Sequence, residues 1–225
     1  MEKTFLQREK SLLTVMLQCE TPETAIGRIR NSLCYGAEAF GLQVESLKAE
    51  YQNEETYKRI FGEMQEKSIY ATYYRCANNI GKTDDELAEG LLTLADSGAT
   101  LCDVIGDLYD RQPDELAVDE EAVKKQMHLI DELHNRGAEV LMSSHVMKYT
   151  PADRVLEIAF EQKRRGADVA KIVTAADDME QQIENLRITN LLRRELGISF
   201  LYLSVGECSV HRRLGSKLGC CMNLC

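Results

Sequence analysis

A lysine stands in the middle of an apolar run, "GADVAKIVTA" at residues 166–175. Burying an ammonium among Val, Ile and Ala costs several kcal/mol or forces the group to neutralise, so Lys171 needs a partner, a route to water or a reaction to perform. Three more residues could join it. Arg75 ends "SIYATYYR", His145 ends "EVLMSSH", and Arg212 follows "SFLYLSVG". Together these four suit an anionic substrate that contains a carbonyl: arginine for a carboxylate, lysine for an imine, histidine for proton transfer. Taken singly, each has a structural explanation. A lone histidine at a strand end is commonly a hydrogen-bonded structural group, and Arg75 could pair with Asp103 on the neighbouring strand.

The elements that would position these residues repeat a single rhythm. "SLLTVML" is apolar and β-prone, and "TPETAIGRIRNSLCYG" follows it, with Thr21 as N-cap, Pro22 at the first helical position and Gly36 as the stop. The alternation continues with "AFGLQVES" and a helix over 54–65, "SIYATYYR" and a helix over 84–97, then "TLCDVIGD" and a helix over 119–135. "EVLMSSH" precedes a helix over 151–165, "DVAKIVTA" one over 178–196, and "SFLYLSVG" a short helical stretch around Arg212; "CCMNLC" is the last apolar piece.

Eight strands alternating with helices predict an α/β fold with parallel strands, and the count favours a closed (β/α)8 TIM barrel over an open doubly wound sheet. Barrel chemistry gathers at the C-terminal ends of the strands, which gives the four residues one address. Nothing follows Cys225 to make an eighth outer helix, so the last helix is expected to be absent or incomplete. The exposed flank would then be covered by a homodimer contact or by the segment from Met1 to Lys10.

Composition narrows the class. With 225 residues, 44% of them apolar, three prolines and no linker or repeat, the chain reads as a single domain over 1–225. A formal charge of −10 without a basic stripe argues against a nucleic-acid partner. The N-terminal apolar run is too short for a membrane span and too interrupted by charge for a signal peptide, so a cytoplasmic protein with no membrane partner is expected. Eight cysteines fit a reducing compartment, and the group Cys208, Cys220, Cys221 and Cys225 matches no common zinc spacing. No metal or organic cofactor is required by imine chemistry.

"SSHVMKYTP" followed by "GADVAKIVTAADDMEQ" resembles the signature region of type I 3-dehydroquinate dehydratase, the Schiff-base enzyme of the shikimate pathway of aromatic amino acid biosynthesis. That family carries Ser-x-His-Asp-Phe-x-x-Thr-Pro on strand five and Gly-Ala-Asp-x-x-Lys-Ile on strand six. Ser143, His145, Thr150 and Pro151 match the first, and Gly166, Ala167, Asp168, Lys171 and Ile172 match the second. "TYYR" with Arg75 resembles the family's Thr-x-Arg strand, and "HRRLGSKLGC" its Ser-Arg-x-x-Gly-x-x-Phe-Gly-Ser segment, which places Arg212 at the substrate-carboxylate arginine.

The resemblance implies a carbon–oxygen lyase that takes 3-dehydroquinate to 3-dehydroshikimate and water. Lys171 would form the imine, His145 would move protons, and Arg75, Arg212, Gln43, Asn79 and Cys220 would line the substrate site. Positive charge near Lys171 and its apolar strand would keep the amine neutral.

The departures cluster around that substrate. The family's strand-two Glu-x-Arg falls on Gly41, Leu42 and Gln43, and its Glu-Gly-Gly, whose glutamate orients the histidine, falls on Asn79, Ile80 and Gly81. Val146 and Met147 replace the Asp-Phe after His145, Cys220 replaces a serine, and the Pro-Gly-Gln lid loop has no counterpart. Three readings follow: a dehydroquinate dehydratase with a reduced recognition shell, a Schiff-base lyase or aldolase acting on a smaller oxo acid, and a non-catalytic binding protein.

Overall fold

A computed structural model describes residues 3–6, 10–206 and 210–225. Helices begin where a short polar side chain can satisfy the free N–H groups of a first turn. Thr21 caps α1 (Pro22–Cys34), Asn53 caps α2 (Glu54–Glu63), and Thr83 forms a reciprocal capping box with Glu86 at α3 (Asp84–Asp96). Asp119 caps α4 (Glu120–Asn135) and Asp178 caps α6 (Met179–Glu195), while α5 (Ala152–Arg164) starts directly after Pro151.

Eight strands precede or separate these helices: β1 (Leu12–Leu17), β2 (Ala39–Gln43), β3 (Ser68–Thr72), β4 (Leu101–Ile105), β5 (Glu139–His145), β6 (Val169–Ala175), β7 (Ser199–Val205) and β8 (Met222–Leu224). All pairings are parallel, in the order β7-β6-β5-β4-β3-β2-β1-β8. The two ends of that sheet meet where the Cys221 N–H donates to the Phe200 carbonyl at 2.9 Å, leaving a nearly closed barrel. Among the described residues, α7 (Val210–Leu214) and a tight turn over Gly215–Lys217 lie between β7 and β8, and no helix comes after β8.

The period of two in each strand divides the core. Phe40, Leu42, Ile69, Cys102, Val104, Val140 and Met142 face outward onto α1–α4, against Ile29, Ile60, Leu91 and Leu129. Leu12, Ala39, Leu101, Leu141 and Val169 fill the lower interior. Phe5 plugs the floor, fully buried and edge-on to Tyr70 at 6.5 Å between ring centroids. The Phe5 N–H donates to Glu139 at 2.9 Å, so this residue closes the barrel bottom. Met1, Glu2 and residues 7–9 of the N-terminal segment, and Cys208, lie outside the described residues.

Candidate active site

Lys171 lies on β6 and points into the barrel, one pleat above Val169. Its residue exposure is 5%, and its Nζ has three partners: the Tyr74 hydroxyl at 2.7 Å, the Tyr70 hydroxyl at 3.0 Å and Asp103 Oδ2 at 3.1 Å. Both phenols also donate to Asp103 Oδ2, while the Ser143 hydroxyl donates to Oδ1 at 2.5 Å. Burial, and then the Asp103 charge, push the Tyr70 and Tyr74 phenols well above their ordinary range. They are neutral hydroxyls that accept from the ammonium while donating to the carboxylate. The charge beside Lys171 is therefore negative, contrary to the expected cationic neighbourhood.

Register explains the assembly. Ser143 pairs with Lys171 across β5 and β6, so the serine and the lysine share one layer. Tyr70 and Tyr74 rise from β3 and the residues just beyond it. Glu45, buried in the turn after β2, fixes this strand end: it accepts from the Thr72 hydroxyl at 2.9 Å and the Tyr74 N–H at 3.3 Å. Its carboxyl is raised by burial.

A cavity of about 210 Å³ reaches the amine from the β8, β1 and β2 side, lined by Met16, Gln18, Gln43, Tyr70, Lys171 and Arg212, with the chain end. Three of the expected site residues meet there: Lys171, Arg212 and Gln43. Arg212 is exposed, and Gln43 accepts from Gln18. A Cβ at Gly41, the position of the family's strand-two glutamate, would lie 2.2 Å from Met16 Sδ and 3.1 Å from the Tyr70 ring, so the flexible end of Met16 would have to move. The Met16 and Tyr70 side chains occupy the space a longer residue would need.

The other expected residues lie elsewhere. Counted from Thr72, the Thr-x-Arg spacing falls on Tyr74, and it is Tyr74 that turns inward. Arg75 turns to the loop after β4 and pairs with Asp107 at 2.5 Å, so its partner is neither a substrate-cavity group nor Asp103. Asn79 is buried by the tight turn over Ala77–Asn79, and neither its amide nitrogen nor its oxygen has a hydrogen-bond partner among the described residues. Cys220 packs inside against Gly215 and the Tyr202 carbonyl, and burial pushes its thiol up to about 11. Cys225, not Cys220, borders the cavity.

His145 stands on the far side of the amine from the cavity lining. Tyr74 touches both: its ring lies edge-on to the imidazole, 5.4 Å between centroids and 82° between planes. The partner of His145 is Glu115, whose Oε2 is 2.8 Å from Nδ1 and accepts the His145 N–H at 2.8 Å. Glu115 belongs to the loop between β4 and α4 and adopts φ +45. Buried Gln126 and Arg165 clamp that loop through the Gly106 carbonyl at 2.9 and 3.1 Å, and Arg165 also donates to the Ala117 carbonyl at 2.6 Å. Gly106 admits the loop because a side chain there would meet the Glu115 carbonyl at 2.4 Å. The histidine thus has a carboxylate partner, supplied by a different loop from the one expected.

Sequence reasoning missed Asp103, Tyr70, Tyr74 and Glu115 as a group around Lys171 and His145. One signal was available: "LCDVI" places an acid in an apolar strand in the way "VAKIV" places a base, and two buried opposite charges on inward positions of one barrel are natural partners.

Comparison with known proteins gives the family and the fold. Residues 13–223 match the family model described as type I 3-dehydroquinase. A 3-dehydroquinate dehydratase of Alkaliphilus oremlandii is 30% identical over 92 residues, 40% of this chain and 36% of the relative. Another, of Lactiplantibacillus plantarum, is 30% identical over 139 residues, 60% of this chain and 54% of the relative. The aligned stretches thus span about a third to a half of those relatives' lengths. The crystal structure of the 3-dehydroquinate dehydratase of Geobacillus kaustophilus superposes with a TM-score of 0.79 at 15% identity, over 96% of this chain and 82% of that one, and shares its fold. With the family model matched over nearly the whole chain, this protein belongs to the type I 3-dehydroquinase family.

Proposed function

We propose that the chain is a Schiff-base dehydratase acting on 3-dehydroquinate, with Lys171 as nucleophile, His145 as the proton-transfer group at carbon and Arg212 as the carboxylate anchor. The observation that carries this reading is the placement of the Lys171 amine and the Arg212 guanidinium on one small cavity at the barrel mouth. The amine would add to the ketone and lose water to form an imine, which withdraws electrons from the neighbouring C–H bond. His145, oriented by Glu115, would take that proton and return one to the departing hydroxyl. Gln43 and Gln18 supply the remaining polar atoms of the lining, fewer than a polyhydroxylated ring could use, so weak substrate binding is part of the proposal. The substrate would be a small anionic oxo acid, converted without metal or organic cofactor.

Borohydride reduction in the presence of 3-dehydroquinate, followed by intact-mass and peptide analysis, tests it. The expected result is one stable adduct on Lys171 together with the short-wavelength ultraviolet absorbance of a conjugated enone in unreduced samples. Absence of both at high substrate overturns it.

One observation favours a second reading, a non-catalytic barrel: the Lys171 ammonium is enclosed by Asp103 and two phenols that satisfy all its protons. An amine that never leaves this ion pair traps no carbonyl compound, and the same experiment separates the two.

A further inference from the structure

Imine formation needs a proton removed from the lysine nitrogen to free its lone pair and, later, a proton delivered to the carbinolamine hydroxyl so that it leaves as water. In this barrel the imidazole of His145 makes no hydrogen bond to Nζ among the described residues. The Tyr74 hydroxyl does, at 2.7 Å, and donates in turn to Asp103. We propose that Tyr74 is a catalytic residue which, with Asp103, forms the proton relay for making and breaking the imine, leaving His145 to the carbon chemistry alone. This rests on the Schiff-base role of Lys171.

The step balances as follows. Tyr74 passes its phenolic proton to Asp103 Oδ2 and takes one from the ammonium, so that one proton moves from Nζ to the carboxylate. The Nζ lone pair adds to the ketone carbon, the carbonyl π pair moves to oxygen, and a second Nζ proton goes to that oxygen, giving a neutral carbinolamine and a protonated Asp103. The relay then runs in reverse: Asp103 returns its proton through Tyr74 to the carbinolamine hydroxyl, the C–O bond breaks, water leaves, and the nitrogen lone pair closes the iminium. Asp103 ends as a carboxylate.

Three features select Tyr74 over its neighbours. It makes the shortest of the three contacts to Nζ, and the carbinolamine oxygen would lie only two bonds from that nitrogen. It is partly exposed, whereas Tyr70 and the Asp103 side chain are fully buried. Its backbone is held by Glu45, so the hydroxyl is pre-placed and need not be gathered by substrate. Burial keeps the phenol protonated, the state in which a hydroxyl can accept and donate at once.

The test is rapid-quench borohydride trapping on the full chain with 3-dehydroquinate. In Tyr74→Phe the rate of adduct formation should fall about 10²-fold. In His145→Ala adduct should form within a few-fold of the wild-type rate while product formation is lost. Tyr73→Phe, which deletes an outward hydroxyl bonded to Gln52, serves as the folding control and should trap at the wild-type rate. Should Tyr74→Phe fail to fold, fluorotyrosine at position 74 keeps the ring and the hydroxyl while making the phenol more acidic, and the trapping rate should change several-fold. Trapping by Tyr74→Phe or the fluorinated protein at the wild-type rate overturns the relay while leaving the Schiff base standing. Failure of the wild-type chain to trap at all overturns both.

Discussion

The two halves of the barrel mouth are built on different terms. On β3 to β6 the polar groups around the amine are engaged: Lys171 with two phenols and a carboxylate, Asp103 with Ser143, His145 with Glu115. From α7 and β8 through β1 to β2 the wall is a thioether, a thiol, an aliphatic side chain, two amides and one exposed guanidinium. The first half is a network that costs free energy unless it is complete, because a buried donor or charge without its partner is heavily penalised. The second half, where the proposed substrate would be recognised, offers few polar groups. A chain can lose contacts on the second side with little effect on folding, whereas a loss on the first side damages the protein itself.

The sharpest way to break this contrast is Asp103→Ala. It strands a buried ammonium, and an unfolding free energy lower by about 3–5 kcal/mol is expected in urea titration. Adding Lys171→Met should recover most of that loss, since an apolar side chain needs no partner. Recovery failing in the double variant would mean that the pair is not the source of the penalty.

A slightly smaller effect tests how the sparse side is anchored. His211, on the helix that carries Arg212, is fully buried beside Tyr202, with Nε2 2.7 Å from the Thr189 hydroxyl and Nδ1 without a hydrogen-bond partner among the described residues. Burial lowers its pKa from 6.5 to about 4. The folded state therefore binds fewer protons than the unfolded chain over that window. Its contribution to stability is complete above about pH 6.5, declines as the pH falls, and is exhausted near pH 4, with a total of about 3 kcal/mol. Urea midpoints measured from pH 7.5 to 4.5 should show this decline, and His211→Asn should flatten it. An unchanged slope in the variant would assign the decline to other groups.

Glu115→Gln keeps a hydrogen bond to the imidazole and removes the charge that would support an imidazolium. A fall in kcat of about 30-fold with KM nearly constant is expected for 3-dehydroquinate turnover, while the melting temperature changes little. A change confined to KM would place Glu115 outside the proton path. The mildest change is Arg212→Ala on the sparse side, where KM should rise about tenfold with the fold intact. Equal losses in kcat would mean that the guanidinium acts on the transition state and not only on binding.

The barrel was legible because its signals are local and repeated. The cap at Thr21, Pro22 behind it and the polar starts at Asp119 and Asp178 each mark a helix within a residue of where it begins, and eight apolar runs each became a strand. Lys171 was legible for a related reason, as a charge in an apolar strand. Its surroundings were not, because they depend on which faces meet across the barrel. Whether Tyr74 or Arg75 points inward turns on a one-residue choice at the end of β3 that spacing in a family pattern decides better than side-chain type. Glu115 lies in a loop, and nothing local announces that Gln126 and Arg165, on and beyond helices far along the chain, will hold it against His145. Asn79 was expected beside the histidine by position in the family pattern; a tight turn placed it in the protein interior instead.

Gly41 couples the two walls of the cavity. An acid placed there would drive its first carbon into the flexible end of Met16 and against the ring of Tyr70, and Tyr70 is also a partner of the lysine. The Met16 thioether would have to swing aside, and since it lines the cavity, the exchange would redraw the mouth as well as add a charge.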